Sequence, residues 1–272
     1  MFRDILVVLG AKQTAAASFA LSFAHRFGAD VTAIWDGIEP ADEDIALAET
    51  RYDLIISDRT EARERAAQGL SDLRVQAIKS AVTTHLVAPD DLTSAEARNL
   101  HQFARSFDLV ILEQSEPTQA SGRRTIEKIL SGSGRPVLVI PYIQRDPASF
   151  NRITVAWDAS PSAARALGDA MPILKRASAV EIVTVTDGGA RQNLPSGAIV
   201  VRHLARHGVE AAFKEISGAG AAADMLLSHV ADSGADLMVT GGYGHSRLRE
   251  SVLGGVTRSL LDSMTIPVFM SH

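Results

Sequence analysis

The chain has 272 residues, enough for one large domain or two of ordinary size, and its 46% hydrophobic and 22% charged residues suit an ordinary globular protein. A net charge of −5 leaves no basic footprint for nucleic acid or for an anionic membrane surface. The absence of cysteine excludes a disulfide framework, a thiol nucleophile and a thiolate metal site.

The first stretch, "MFRDILVVLGAKQ", does not read as a signal peptide, because Asp4 lies beside Arg3 and the apolar run stops at Lys12 and Gln13. No run approaches the roughly 18 apolar residues that span a bilayer. The expectation is a cytoplasmic protein with no membrane partner.

"DILVVLG" (Asp4 to Gly10) is a short β-branched run, the pattern of a buried strand, and a helix follows with Phe19, Phe23 and Phe27 at four-residue spacing. "DVTAIW" (Asp30 to Trp35) reads as a second strand. The charged stretch from Asp36 to Thr60 contains "YDLIIS" and reads either as an additional strand or as a lid-like insertion. "FDLVILEQ" (Phe107 to Gln114) reads as a fourth strand and "RPVLVIP" (Arg135 to Pro141) as a last one. "QRDPASFN" (Gln144 to Asn151) is polar, contains Pro147 and lacks periodicity, which marks a linker.

The same plan then repeats. "RITVAWD" (Arg152 to Asp158) matches the first strand, and Ser160-Pro161 opens a helix with Ala163, Leu167, Met171 and Leu174 on its core face. "AVEIVTV" (Ala179 to Val185), "ADLMVTGG" (Ala235 to Gly242) and "IPVFMS" (Ile266 to Ser271) match the second, fourth and last strands. The expected domains are 1–143 and 152–272, joined by a linker at 144–151. Strands alternating with helices of this length imply α/β domains, each a mostly parallel five-stranded sheet with helices on both faces. Ligands bind such sheets beyond the C-terminal strand ends, where the strand order reverses.

"GGYGHSRLRESVLGGVT" (Gly241 to Thr257) sits at such an end. Gly241 and Gly244 close the strand, where glycine permits positive φ and close approach of a ligand. Gly254 and Gly255 open a helix with the expected core face Val256, Leu260, Leu261 and Met264. The first-turn N–H groups of that helix lack partners and its dipole is positive there, so a phosphate fits, with the Thr257 hydroxyl as a further donor. The competing reading is two unrelated turns.

"DLMVTGGYGHSRLRESVLGGVTRSLLDSMTIPVFMSH" resembles the C-terminal signature of the universal stress protein family, whose nucleotide motif is G-x2-G-x9-G-[ST]. "VAWDASPSAARAL" (Val155 to Leu167) is similar to the family's first strand and helix. The resemblance covers nearly the whole chain as two tandem flavodoxin-like or Rossmann-like domains, strongly in the second half and weakly in the first. It implies binding of an adenine nucleotide, ATP, ADP or AMP, with or without magnesium. Asp158 and Val185 would hold the adenine side. Thr240, Gly241, Gly244 and Gly254 would surround ribose and phosphates, with Ser246 near the phosphates and Gly255, Val256 and Thr257 at the helix start. It also implies pairing of the two domains through their last strands, Val137 to Ile140 and Val268 to Met270, as an internal pseudo-dimer.

Gly255 stands where the motif asks for serine or threonine, so a hydroxyl donor is lost. In the first half Gly10 replaces the strand-end acid, and Glu113 and Glu116 replace Gly241 and Gly244, where they would repel a phosphate. Arg123 and Arg124 read as a solvated basic pair rather than an anion site, and the first half reads as a degenerate copy.

Rival constellations are weaker. "SGAGAAADML" (Ser217 to Leu226) mimics a dinucleotide fingerprint, but the next strand ends without the acid that holds the ribose. His203 and His207 share a helix face without an evident third metal ligand, so no metal site is expected. His245, Ser246 and Asp158 lack a nucleophile elbow. Arg247, Arg249 and Arg258 could complement phosphate, or be neutralised by Glu250 and Asp262. No phosphoryl-transfer machinery is present, so no catalytic residue is expected and hydrolysis would be slow at most. The reading is a nucleotide-dependent stress-response sensor or binding module; the alternatives are a scaffold without a nucleotide and a weak ATP hydrolase. A homodimer of whole chains and an unidentified protein partner both remain open.

Overall fold

Each of the β-branched runs forms a strand, and each is buried on both faces, as a sheet covered by helices requires. The computed structural model describes residues 1–10, 15–35, 52–87, 99–115, 120–186, 197–218, 220–242 and 255–272. The first half contributes β1 (Asp4–Leu9), β2 (Asp30–Trp35), β3 (Thr84–Val87), β4 (Leu109–Glu113) and β5 (Val137–Ile140). The second contributes β6 (Arg152–Ala156), β7 (Ala179–Thr186), β8 (Ala211–Ser217), β9 (Leu237–Gly241) and β10 (Val268–Ser271).

The strand order is β3-β2-β1-β4-β5-β10-β9-β6-β7-β8. Within each half all pairings are parallel and the order is the same, so the repeat seen in the sequence is a repeat in topology. The two five-stranded sets do not stand apart. β5 and β10 pair antiparallel, with Val268 opposite Val139, Phe269 opposite Leu138 and Met270 opposite Val137, and make one ten-stranded sheet. Fusing the two edges satisfies backbone groups that each half alone would expose.

One sheet face is covered by α1 (Ala15–Phe27), α2 (Tyr52–Ser80), α5 (Pro161–Asp169), α6 (Met171–Leu174) and α7 (Gly197–Arg206). The other carries α3 (Leu100–Phe103), α4 (Ala120–Gly132), α8 (Ala222–Ser233) and α9 (Gly255–Ser263). Of the stretch left open in the sequence, residues 36–51 lie outside the described residues, and "YDLIIS" is the start of α2, a helix rather than a strand. Ser160 caps α5 as expected, its Oγ accepting from Ala163 N–H at 3.1 Å. The single helix expected over Ala163 to Leu174 is instead α5 and α6, divided at Ala170 just before Met171-Pro172. Pro172 has no N–H to continue the ladder.

The seam between halves is built from both faces. Phe150, in the segment expected to be a polar linker, is fully buried against Phe19, Phe23 and Phe27 of α1. Arg176 lies over the Phe27 ring at 4.3 Å and donates to the Arg26 carbonyl. On the opposite face Arg123 of α4 reaches Asp262 of α9 at 2.9 Å and Glu127 at 3.7 Å.

Burial raises the Glu127 carboxyl above its ordinary value, and the neighbouring Arg123 offsets this only in part. Between the ordinary and raised values the folded chain holds a proton that the unfolded chain releases, so stability falls as pH rises through that window. Glu127→Gln should therefore raise the melting temperature at pH 7. The gain over wild type should shrink as pH falls towards the ordinary carboxylate value. A constant or absent difference in scans from pH 7 to pH 4 would contradict this.

Candidate nucleotide-binding site

The strand order reverses at the crevice between β6 and β9: β7 lies on one side of β6, and β9 and β10 on the other. The C-terminal ends of β7, β6 and β9 are neighbours there. They carry Val185, Asp158 and Thr240–Gly241 respectively, so four of the expected residues converge by topology alone.

Asp158 stands two residues beyond β6, and its Oδ1 accepts from the Ser160 N–H at 2.9 Å. This turn, with Ala159 in the left-handed region at φ 59°, sets the start of α5. Trp157 N–H donates to the Val183 carbonyl at 2.8 Å, and Thr184 Oγ1 donates to the Trp157 carbonyl at 2.9 Å, which ties the ends of β6 and β7 together. Val185 is partly buried on the face that α8 and α9 cover. Thr240 is buried and its Oγ1 donates to the Gly241 carbonyl at 3.2 Å.

Gly241 meets a packing demand inside the chain. It is the last residue of β9, with no positive φ. A Cβ built on it would lie 2.5 Å from the Ala163 backbone nitrogen and 2.8 Å from the Ser162 carbonyl carbon. The close approach it permits is that of the first turn of α5. Gly241→Ala should destabilise the fold by about 1–3 kcal/mol, because the colliding atoms are backbone and cannot swing away. Urea titration would test this; an unchanged midpoint would contradict the packing argument.

α9 begins at Gly255. Thr257 in its first turn is 5% exposed, whereas Val256 is 41% exposed, so the buried face is Thr257, Leu260, Leu261 and Met264 and Val256 does not join it. The first turn of a helix packed through positions 257, 260, 261 and 264 points position 256 away from the sheet. A Cβ on Gly255 would have no atom of the described residues within 4 Å. Gly244, Ser246 and Gly254 lie outside the described residues, as do Arg247, Arg249 and Glu250. Arg258 pairs with Asp262 at 3.8 Å.

In the first half the equivalent strand end holds Glu113, and its carboxylate accepts from the Ala16 N–H in the first turn of α1 at 3.2 Å. An internal anion thus occupies a helix N-terminus. Arg123, read as one of a solvated pair, is instead a bridge between the halves. The His203 and His207 rings are 4.7 Å apart, and no group of three metal-ligating side chains occurs among the described residues. None of the described helices is long and apolar enough to cross a membrane.

The profile of the universal stress protein family matches residues 149–272. The C-terminal half belongs to the universal stress protein family. A curated relative, the universal stress protein Slr1230 of Synechocystis sp., is 29% identical over 177 residues, which is 62% of this chain and 59% of the relative. The chain therefore spans under two thirds of that universal stress protein's length.

Among solved structures, a universal stress protein from Archaeoglobus fulgidus DSM 4304 superposes with a TM-score of 0.70 over 97% of both chains at 16% identity. A functionally unknown protein from Pseudomonas aeruginosa PAO1 gives 0.58 at 15% identity, covering 98% of this chain and 92% of its own. At such identities the likeness is one of fold, and it extends over both halves.

Proposed function

We propose that this universal stress protein binds an adenine nucleotide in its C-terminal half and acts as a nucleotide-dependent sensor or binding module in stress response. The chain is organised as a degenerate domain over 1–143, a linker at 144–151 and a binding domain over 152–272. The observation that carries this reading is the convergence of Asp158, Val185, Thr240 and Gly241 at the strand-order reversal. The first turn of α9 follows β9 in sequence, and the family's motif assigns its backbone N–H groups and Thr257 to the phosphates. Asp158 and Val185 take the adenine side. Gly244, Ser246, Gly254, Gly255 and Val256 complete the phosphate loop by the family's motif.

Purified protein is denatured and any released nucleotide identified by mass spectrometry, beside a Gly244→Glu variant and a calorimetric titration with ATP. Release of ATP, ADP or AMP from wild type alone supports the site. An empty protein that shows no heat of binding sinks it. The packing demand on Gly241 favours a second reading, a scaffold whose glycines serve only structure, and that second result would establish it.

A further inference from the structure

The two ends of α9 face different parts of the molecule. Its last-turn carbonyls have no intrahelical partner. Leu260 is satisfied by the Met264 N–H at 2.8 Å, and Leu261 by Gln114 Nε2 at 2.8 Å. Gln114 follows β4 in the first half, is 4% exposed, and leaves its Oε1 without a hydrogen-bond partner among the described residues. A buried amide satisfied on one side costs more than an apolar residue of similar size. What Gln114 supplies in return is the cap on Leu261.

Asp262, one residue on, places negative charge near the helix C-terminus, where it opposes the dipole. Arg123 of α4 donates to Asp262 Oδ1 at 2.9 Å and neutralises it, with Arg258 of α9 assisting at 3.8 Å. The C-terminal end of α9 is thus capped and neutralised from the first half. Its other end carries Gly255 and Thr257.

We propose that Gln114 and Arg123 are positioning residues for the nucleotide site, through which the first half sets the helix that the second half uses. This rests on the nucleotide reading above. α9 has only nine residues, too few to hold a helix on their own, so its docking fixes where the first-turn N–H groups point. The first half thereby contributes to a ligand site although Glu113 fills its own equivalent position.

Hydrogen exchange of the 255–263 segment and calorimetric ATP affinity are measured on the full chain in four variants. Gln114→Leu should speed exchange in α9 and weaken ATP binding roughly tenfold, and Arg123→Met about threefold. Arg123→Lys keeps the charge and should recover most of the loss. Arg165→Met is the control: Arg165 also crosses between halves, to the Gly134 carbonyl at 3.0 Å, but belongs to α5. It should leave α9 exchange and ATP affinity at wild-type values.

Wild-type exchange in both Gln114→Leu and Arg123→Met overturns the proposal. So does an equal change in Arg165→Met, which would mean general loosening. If wild type binds no ATP, the nucleotide reading fails and the positioning role falls with it; if wild type binds ATP, unchanged α9 exchange ends the positioning role alone.

Discussion

Phe150→Ala is expected to destabilise the fold by about 3–5 kcal/mol, the range for truncating a fully enclosed phenylalanine. Its ring is 0% exposed and lies edge-on to Phe19 at 6.1 Å and Phe23 at 5.5 Å, with Phe27 tilted at 6.2 Å. The Arg26 guanidinium is 5.7 Å from its centroid. Such aromatic pairs add to area burial, and the site cannot collapse, because α1 is pinned to the sheet by three phenylalanines. The residue comes from the segment joining the halves, while its ring contacts are with α1 of the first half, so truncation also frees that segment. Phe150→Leu keeps most of the volume and should cost about 1.5 kcal/mol or less. Guanidinium unfolding would show the midpoint falling sharply in the alanine variant and little in the leucine variant. Equal midpoints would mean that the segment is not held by this cluster.

The first, second, fourth and last strands of each half were legible because their runs are short, apolar and bounded by turns, and the repeat between halves gave each assignment an independent check; β3 and β8 are the partly exposed edge strands and carry no such apolar run. The joining of Val137–Ile140 to Val268–Met270 followed from the family resemblance and is realised as antiparallel pairing. Phe150 was not legible: its neighbours Arg145, Asp146 and Asn151 are polar, and one apolar residue sets no period. Pro172 did carry the signal that divides α5 from α6, but the apolar spacing from Ala163 to Leu174 read through it.

At the site, the residue types at positions 240, 241 and 255 were legible and their uses were not. Glycine at 241 looks the same in sequence whether or not a helix backbone comes close, and that packing demand shows only in the 2.5 Å approach to Ala163. Val256 looked like core by composition, but the phase of α9 is set by Leu260 and Leu261, which leaves it outside. The cap from Gln114 to Leu261 joins residues 147 apart in the chain, beyond the reach of any local pattern.

Gly255→Ser is expected to strengthen ATP binding by roughly tenfold to a hundredfold, the equivalent of about 1.5–3 kcal/mol for a hydrogen bond to a charged group. The substitution supplies the hydroxyl that the family motif places there. A Cβ at 255 meets no atom of the described residues within 4 Å, and the backbone has no positive φ, so the described residues leave room for it. Folding stability should rise as well, by about 0.5 kcal/mol, since glycine is a poorer helix former than serine. Gly255→Ala separates the two effects: it should stabilise by up to about 1 kcal/mol through helix propensity while adding no donor. Calorimetric titration with ATP beside thermal melts of all three proteins reads both. If serine and alanine bind ATP alike, the hydroxyl at 255 does not face the phosphates, and the first turn of α9 is not where the charge of the nucleotide rests.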